Sequence, residues 1–238
     1  MTSLALRSKL AAVAAAALLA ACGGSDHTAL HLGGVAATGL AIEGGTVTVQ
    51  CKSGTGSADQ PTDAAGRYTV RVVDGTGPCL VTVSKGSLTL RSIANPDANG
   101  QAVANVTPIT NAIVNAIAAA KGTTVEGLTG TQAPSSADIN NAADQVLEVL
   151  TGALGINAPS GWGSLTAEQL LSDPNFTAAT TSNPTGGSVL DQAMDVLVTE
   201  NKLTPSSGAL SSTITDDINA QVQSVVDPTP TGGTGAGN

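Results

Sequence analysis

Two histidines, His27 and His31, stand four positions apart and are the only ones in the chain. On a helix that spacing puts both imidazoles on one face, where they could share a metal ion. Asp26 is the only further ligand type nearby, and Gly23, Gly24 and Ser25 precede it. The pair therefore reads as solvated linker, and no metal is expected. Asp97-Ala98-Asn99-Gly100 opens like an oxygen-ligand loop for calcium, but it lacks the further oxygens and the closing Glu that such a site needs. It reads as an ordinary Asx turn. Asp191, Asp195 and Glu200 could be paired carboxylates for hydrolysis; near-helical spacing puts them on a polar face, where solvated charge is the default. There is no Gly-x-Ser-x-Gly, no Ser-x-x-Lys, no phosphate-binding Gly-Lys loop and no His-Glu-x-x-His. No catalytic residue and no cofactor is expected.

The three cysteines, Cys22, Cys51 and Cys79, divide by context. Arg7 and Lys9 make a basic start, and Leu10 through Ala21 are apolar without exception. At about 1.5 Å per residue that run reaches ~18 Å, short of the ~20 residues that cross a hydrocarbon core. Residues 1–21 therefore read as a secretory signal. Leu19-Ala20-Ala21-Cys22 resembles the lipobox of bacterial lipoproteins. The resemblance implies that Cys22 is lipidated, becomes the mature N-terminus and holds the protein at a membrane. More than one acyl chain holds firmly where a single chain holds reversibly. Gly23 after the cysteine resembles outer-membrane sorting, with the face of the membrane left open. With Cys22 acylated, Cys51 and Cys79 remain as an even pair in an oxidising compartment, the setting of a disulfide. Such a bridge is expected to stabilise by about 3 to 4 kcal/mol.

Composition narrows the partners. The formal net charge is −9, and removing the signal with Arg7 and Lys9 makes the remainder more acidic. No basic cluster occurs, so nucleic acid is not an expected partner. Tyr68, Trp162 and Phe176 are the only aromatic residues, a poor basis for stacking on sugars or bases.

Behind a tether expected over 22–32, the pattern from 33 to 106 has period two. Val47, Val49 and Cys51 share one face; Tyr68, Val70 and Val72 point in while Arg67, Thr69 and Arg71 point out; Cys79 falls with Val81 and Val83. Asp63-Ala64-Ala65-Gly66, Asp74-Gly75 and Lys85-Gly86 mark turns. Several short strands at this spacing predict an all-β sandwich, with both cysteines on Val-bearing faces. Gly44-Gly45-Thr46-Val47, Thr62-Asp63-Ala64-Ala65-Gly66-Arg67-Tyr68 and Gly77-Pro78-Cys79-Leu80-Val81 resemble a carboxypeptidase-regulatory-like domain. That resemblance implies a transthyretin-like (prealbumin-like) β-sandwich serving as an accessory scaffold or binding module. It brings no catalytic residues.

From 107 to 226 the period becomes helical, giving α+β overall. Thr107-Pro108 starts a helix with Ile109, Ile113 and Ile117 on one face. Further starts are read at Ser136, at Thr166 with Gln169 as a capping box, at Ser188 with Asp191, and at Thr213 with Asp216. Trp162, between two glycines, is either an exposed contact or the plug of the helical core. Residues 227–238 read as a disordered tail. Two functions follow. One is a lipid-anchored, non-catalytic envelope protein acting as a structural or protein-interaction module toward an envelope partner. The alternative is a small-ligand or substrate-binding lipoprotein with a pocket between sandwich and helices, lined by residues such as Ile113, Ile117 and Leu147.

Overall fold

A computed structural model describes residues 29–226. The signal at 1–21, Cys22, His27 and the tail at 227–238 lie outside the described residues. Seven strands come first: β1 (Ala29–Val35), β2 (Thr46–Ser53), β3 (Thr55–Ser57), β4 (Arg67–Val73), β5 (Thr76–Lys85), β6 (Leu88–Ala94) and β7 (Gln101–Val103). They form two sheets, β4-β1-β7 and β3-β2-β5-β6. β1 runs antiparallel to β4 and parallel to β7.

The alternation read in the sequence sets which faces meet. Val47, Val49 and Cys51 from one sheet and Tyr68, Val70 and Val72 from the other join Leu30, Leu32 and Leu90 in a single core. Each such side chain contributes roughly 1.5 to 3 kcal/mol on full burial. Cys51 and Cys79 are directly opposite on β2 and β5 and are bonded across a sequence separation of 28. Both are buried, as their Val-bearing faces predict.

The tether expected over 22–32 is corrected at its C-terminal end. Ala29–Val35 pairs residue for residue with Val73–Arg67, and Leu30 and Leu32 are buried. The alternation of Leu30 and Leu32 was present, but Gly33-Gly34, residues depleted in strands, obscured it.

Beyond Thr107 come five helices: α1 (Pro108–Ala120), α2 (Ser136–Leu154), α3 (Ala167–Ser172), α4 (Val189–Thr199) and α5 (Ser212–Val225). Thr107 with Thr110, Ser135 with Asp138, and Thr166 with Gln169 each form a reciprocal capping box. A two-residue hairpin, β8 (Leu203–Thr204) with β9 (Ala209–Leu210), interrupts the stretch read as purely helical. The helices dock on the outer face of the four-stranded sheet. Leu80 and Ile93, cross-strand partners on β5 and β6, break the alternation by being buried outward. They belong to the helical core with Ile109, Ile113, Ile117 and Leu150. Trp162 is the plug: it is buried, and its Nε1 donates to Thr151 Oγ1 at 2.9 Å.

Two of the four sheet margins, those of β6 and β7, are closed. On β6, the amide of Arg91 donates to Asn111 Oδ1 at 3.1 Å and Thr110 Oγ1 donates to the Arg91 carbonyl at 3.0 Å, so α1 covers that edge. On β7, Gln101 exchanges hydrogen bonds with Asp97 on one side of Val103. On the other side, Asn105 N–H donates to the Leu171 carbonyl at 2.8 Å.

Candidate functional site

The outer face of the three-stranded sheet is the one the helices leave open. Register places its outward residues in rows across the strands. Arg71, His31 and Gln101 form one row, Thr69, Gly33 and Val103 the next, and Arg67 stands opposite Val35 in a third. Gly33 carries no side chain, so the middle row is a saddle. Its backbone does not demand glycine. A Cβ there would meet only the Tyr68 carbonyl at 3.4 Å and Thr69 Cγ2 at 3.7 Å, ordinary contact distances. Gly34 is different, because a Cβ there would come within 2.1 Å of the Ala104 carbonyl oxygen.

Two clefts meet at this saddle. One, of about 710 Å³, is bounded by Gly33–Val35, Arg67–Thr69, the Asp59–Pro61 segment and the Asp173–Thr177 segment. The other, of about 680 Å³, runs past His31, Arg71, Ser57 and Asp97. Gly33, Asp59, Thr69 and Val103 line both. Together they make a trough along β1, walled by the chain between β3 and β4 on one side and by residues 97–101 and 173–177 on the other.

The charges around it are unequally committed. Asp63 Oδ1 accepts from the amides of Ala65 and Arg67, both at 2.8 Å. Asp97 Oδ1 accepts from Asn99 and Gln101 at 2.8 Å, and the Gln101 amide leads in holding its carboxyl below the ordinary range. Asp173 Oδ1 accepts from the Asn175 amide at 2.8 Å. The 97–100 segment is thus the Asx turn expected of it. Arg67 and Arg71 are exposed, and among the described residues no hydrogen bond or ion pair engages either guanidinium.

The 173–177 wall is tied to the sheets by few groups. Asn105 Oδ1 accepts from the Val35 amide at 3.1 Å, and its Nδ2 donates to the Asp173 carbonyl at 2.9 Å. Farther along, Ala41 N–H donates to the Ala179 carbonyl at 2.8 Å, and Ala179 N–H donates to Asp191 Oδ2 at 2.9 Å. Asp191 corrects a sequence expectation: it is 0% exposed, not on a solvated helix face. Among the described residues its Oδ1 has no hydrogen-bond partner. Burial, with the nearby Asp195 charge adding to it, pushes its pKa up to about 7. Asp195 is also raised, by burial. Glu200 behaves oppositely; hydrogen bonding to Lys202 and Asn157 holds it low.

Of the sequence-derived candidates, Cys51 and Cys79 are brought together, while Cys22 and His27 lie outside the described residues. His31 lies on β1 at the trough, not in a linker. Ile113 and Ile117 are packed in the helical core with Leu147 against it, so the expected apolar pocket lining is core. Among the described residues, no group of three or more His, Cys, Asp or Glu could hold a metal, and no helix is long and apolar enough to cross a membrane. The outward set Arg67, Thr69 and Arg71 was legible from alternation; that Gly33 lies opposite Thr69 was not, because β1 was read as starting too late. Comparison of the chain with known protein families, with curated proteins and with solved structures finds no match.

Proposed function

We propose that this chain is a lipid-anchored, non-catalytic cell-envelope protein whose two-sheet body is a transthyretin-like, carboxypeptidase-regulatory-like module for structural or protein–protein contact. The observation that carries the reading is the buried Cys51–Cys79 bridge. It uses two of the three cysteines and leaves Cys22, at the end of the apolar run, as the remaining thiol. A disulfide in a core is typical of exported proteins. Strand β1 begins at Ala29, so the chain between Cys22 and the body spans at most ~25 Å. In this reading the body stays beside the bilayer, with an outer-membrane location implied by Gly23.

The test is metabolic labelling with an alkyne-bearing palmitate in the native host, comparing the wild-type chain with Cys22→Ser. Label on the wild type alone supports the anchor; equal absence from both rules it out.

A second reading, a ligand-binding lipoprotein, draws support from the 710 Å³ cleft between β1, β4 and the segment joining α3 to α4. A thermal-shift panel of small molecules separates the two. A melting temperature raised by a small molecule, with no envelope protein recovered on the chain, favours this second reading.

A further inference from the structure

We infer that the Asp191 carboxyl is a proton-operated clasp. Protonated, it holds the segment joining α3 to α4 against the loop that follows β1; ionised, it lets segment and loop part. The inference goes beyond the anchoring reading and does not depend on it.

Asp191 lies in the first turn of α4 and is fully buried. Its Oδ2 accepts the Ala179 amide at 2.9 Å, and the Ala179 carbonyl accepts the Ala41 amide at 2.8 Å. Ala41 is bridged to Ala37, whose amide donates to the Val106 carbonyl at 3.0 Å. One carboxyl thus starts a chain of bonds that runs from α4 to the residue preceding the cap of α1. The Ser188 amide donates to the Thr177 carbonyl at 2.9 Å, closing the exposed tip of the segment. Thr177 also ends the wall of the 710 Å³ cleft, so whatever frees Ala179 loosens that wall.

No cation faces the carboxyl. Residues 177–188 and 36–42, which cover it, contain no ionisable side chain. Asp195, one helical turn on, adds a like charge. Gly39 of the loop packs on Asp195, for a Cβ there would fall 2.9 Å from Asp195 Oδ1. Of the other elements packed against α4, α2 carries only Asp138, Asp144 and Glu148, and β8 and the turn Trp162–Ser164 carry no charge. Lys202, just before β8, bonds the Glu200 carboxylate and the Ala153 carbonyl.

Asp63 and Asp97 show what an ionised carboxylate needs in this protein: both are exposed, and each accepts two amides. Asp191 has one amide, no exposed surface, and an Oδ1 without a partner among the described residues. Its ionised form must bring water or further donors to that oxygen. The cover has to move to admit them.

The test is amide hydrogen exchange on the full chain in non-ionic detergent, at about pH 6 and pH 8, corrected for intrinsic rates. Protection in peptides covering residues 37–42 and 177–180 should fall about tenfold over that range. That is the change for one carboxyl going from about 7 when closed to its ordinary 3.8 when open. These peptides should be less protected than β2 and β5 at each pH. Their exchange should be nearly insensitive to about 1 M urea, the mark of a local opening. Asp191→Asn keeps an acceptor for the Ala179 amide and cannot ionise, so its protection should be equal at the two pH values. Equal protection at both pH values in wild type overturns the clasp. So does the same fall in Asp191→Asn, or a urea dependence matching that of β2 and β5, which would make the opening global unfolding.

Discussion

Tyr68 donates its phenolic hydrogen to the carbonyl of Ala104, joining β4 to the chain just beyond β7 across the strand that lies between them. The opposite position on β1 is Gly34. The ring is buried, and burial raises its pKa, so the hydroxyl remains a donor. Closure of the three-stranded sheet at this end thus requires a large polar-tipped residue facing one with no side chain.

Gly34→Ala should destabilise the fold by about 2 to 4 kcal/mol, because its Cβ meets backbone that cannot move aside cheaply. Gly33→Ala, one residue away, should change stability by less than about 1 kcal/mol. Urea unfolding of the two variants in parallel checks the contrast. Similar losses would mean that the close approach at Ala104 is not the cause.

Removing the disulfide by Cys51→Ala with Cys79→Ala should cost about 3 to 4 kcal/mol in the chain-entropy account. Alkylation with and without reductant, followed by mass measurement, checks the pairing first. Free thiols at these positions in the oxidised protein would contradict it.

Stability should fall as pH rises from about 5 to about 8. The Asp191 carboxyl has an ordinary value of 3.8 and a folded value of about 7, so the folded state holds its proton more tightly. The resulting stabilisation is complete below the unfolded value and is lost as pH climbs through the folded one. Asp195, also raised, adds with the same sign. Asp97, Asp138 and Glu200 are lowered, so their contributions disappear only in acid. Asp191→Asn keeps an acceptor for the Ala179 amide and should flatten the slope between pH 5 and 8. Urea midpoints across that range decide it; an unchanged slope would place the titrating group elsewhere.

Asn105→Ala should loosen the 173–177 wall. It removes the acceptor of the Val35 amide and the donor to the Asp173 carbonyl, both part of a buried connection, at a cost of about 1 to 3 kcal/mol. Hydrogen exchange should rise at residues 173–177 before it rises in β2 or β5. Uniform acceleration across the chain would mean that the residue supports the fold at large.

The strands carrying Val47, Val49, Tyr68, Val70 and Val72 were legible in the sequence because apolar and polar residues alternate without a break. The capping box of Thr166 with Gln169 was legible because side chain and amide lie three residues apart in the chain, and the starts read at Thr107 and Ser136 fall within a residue of the observed caps Thr107 and Ser135. β1 was half hidden because its two glycines supply no pattern. Leu80 and Ile93 depart from the alternation, and only the arrival of the helices explains why these outward positions are apolar. Asp191 was misread for a related reason. Helical periodicity describes a face, and what covers that face (here the segment ending at Ala179) comes from a distant part of the chain. The trough was out of reach of local patterns, since its floor, walls and charges come from segments joined only by register.

The closed margins of β6 and β7 bear on how copies behave in close company. Unguarded strand rims let neighbouring copies pair edge to edge, the first step toward fibres. Here Thr110, Asn111 and Asp97 already occupy the rim groups of β6 and β7 that a neighbour would need, so these two edges should not seed strand pairing between copies.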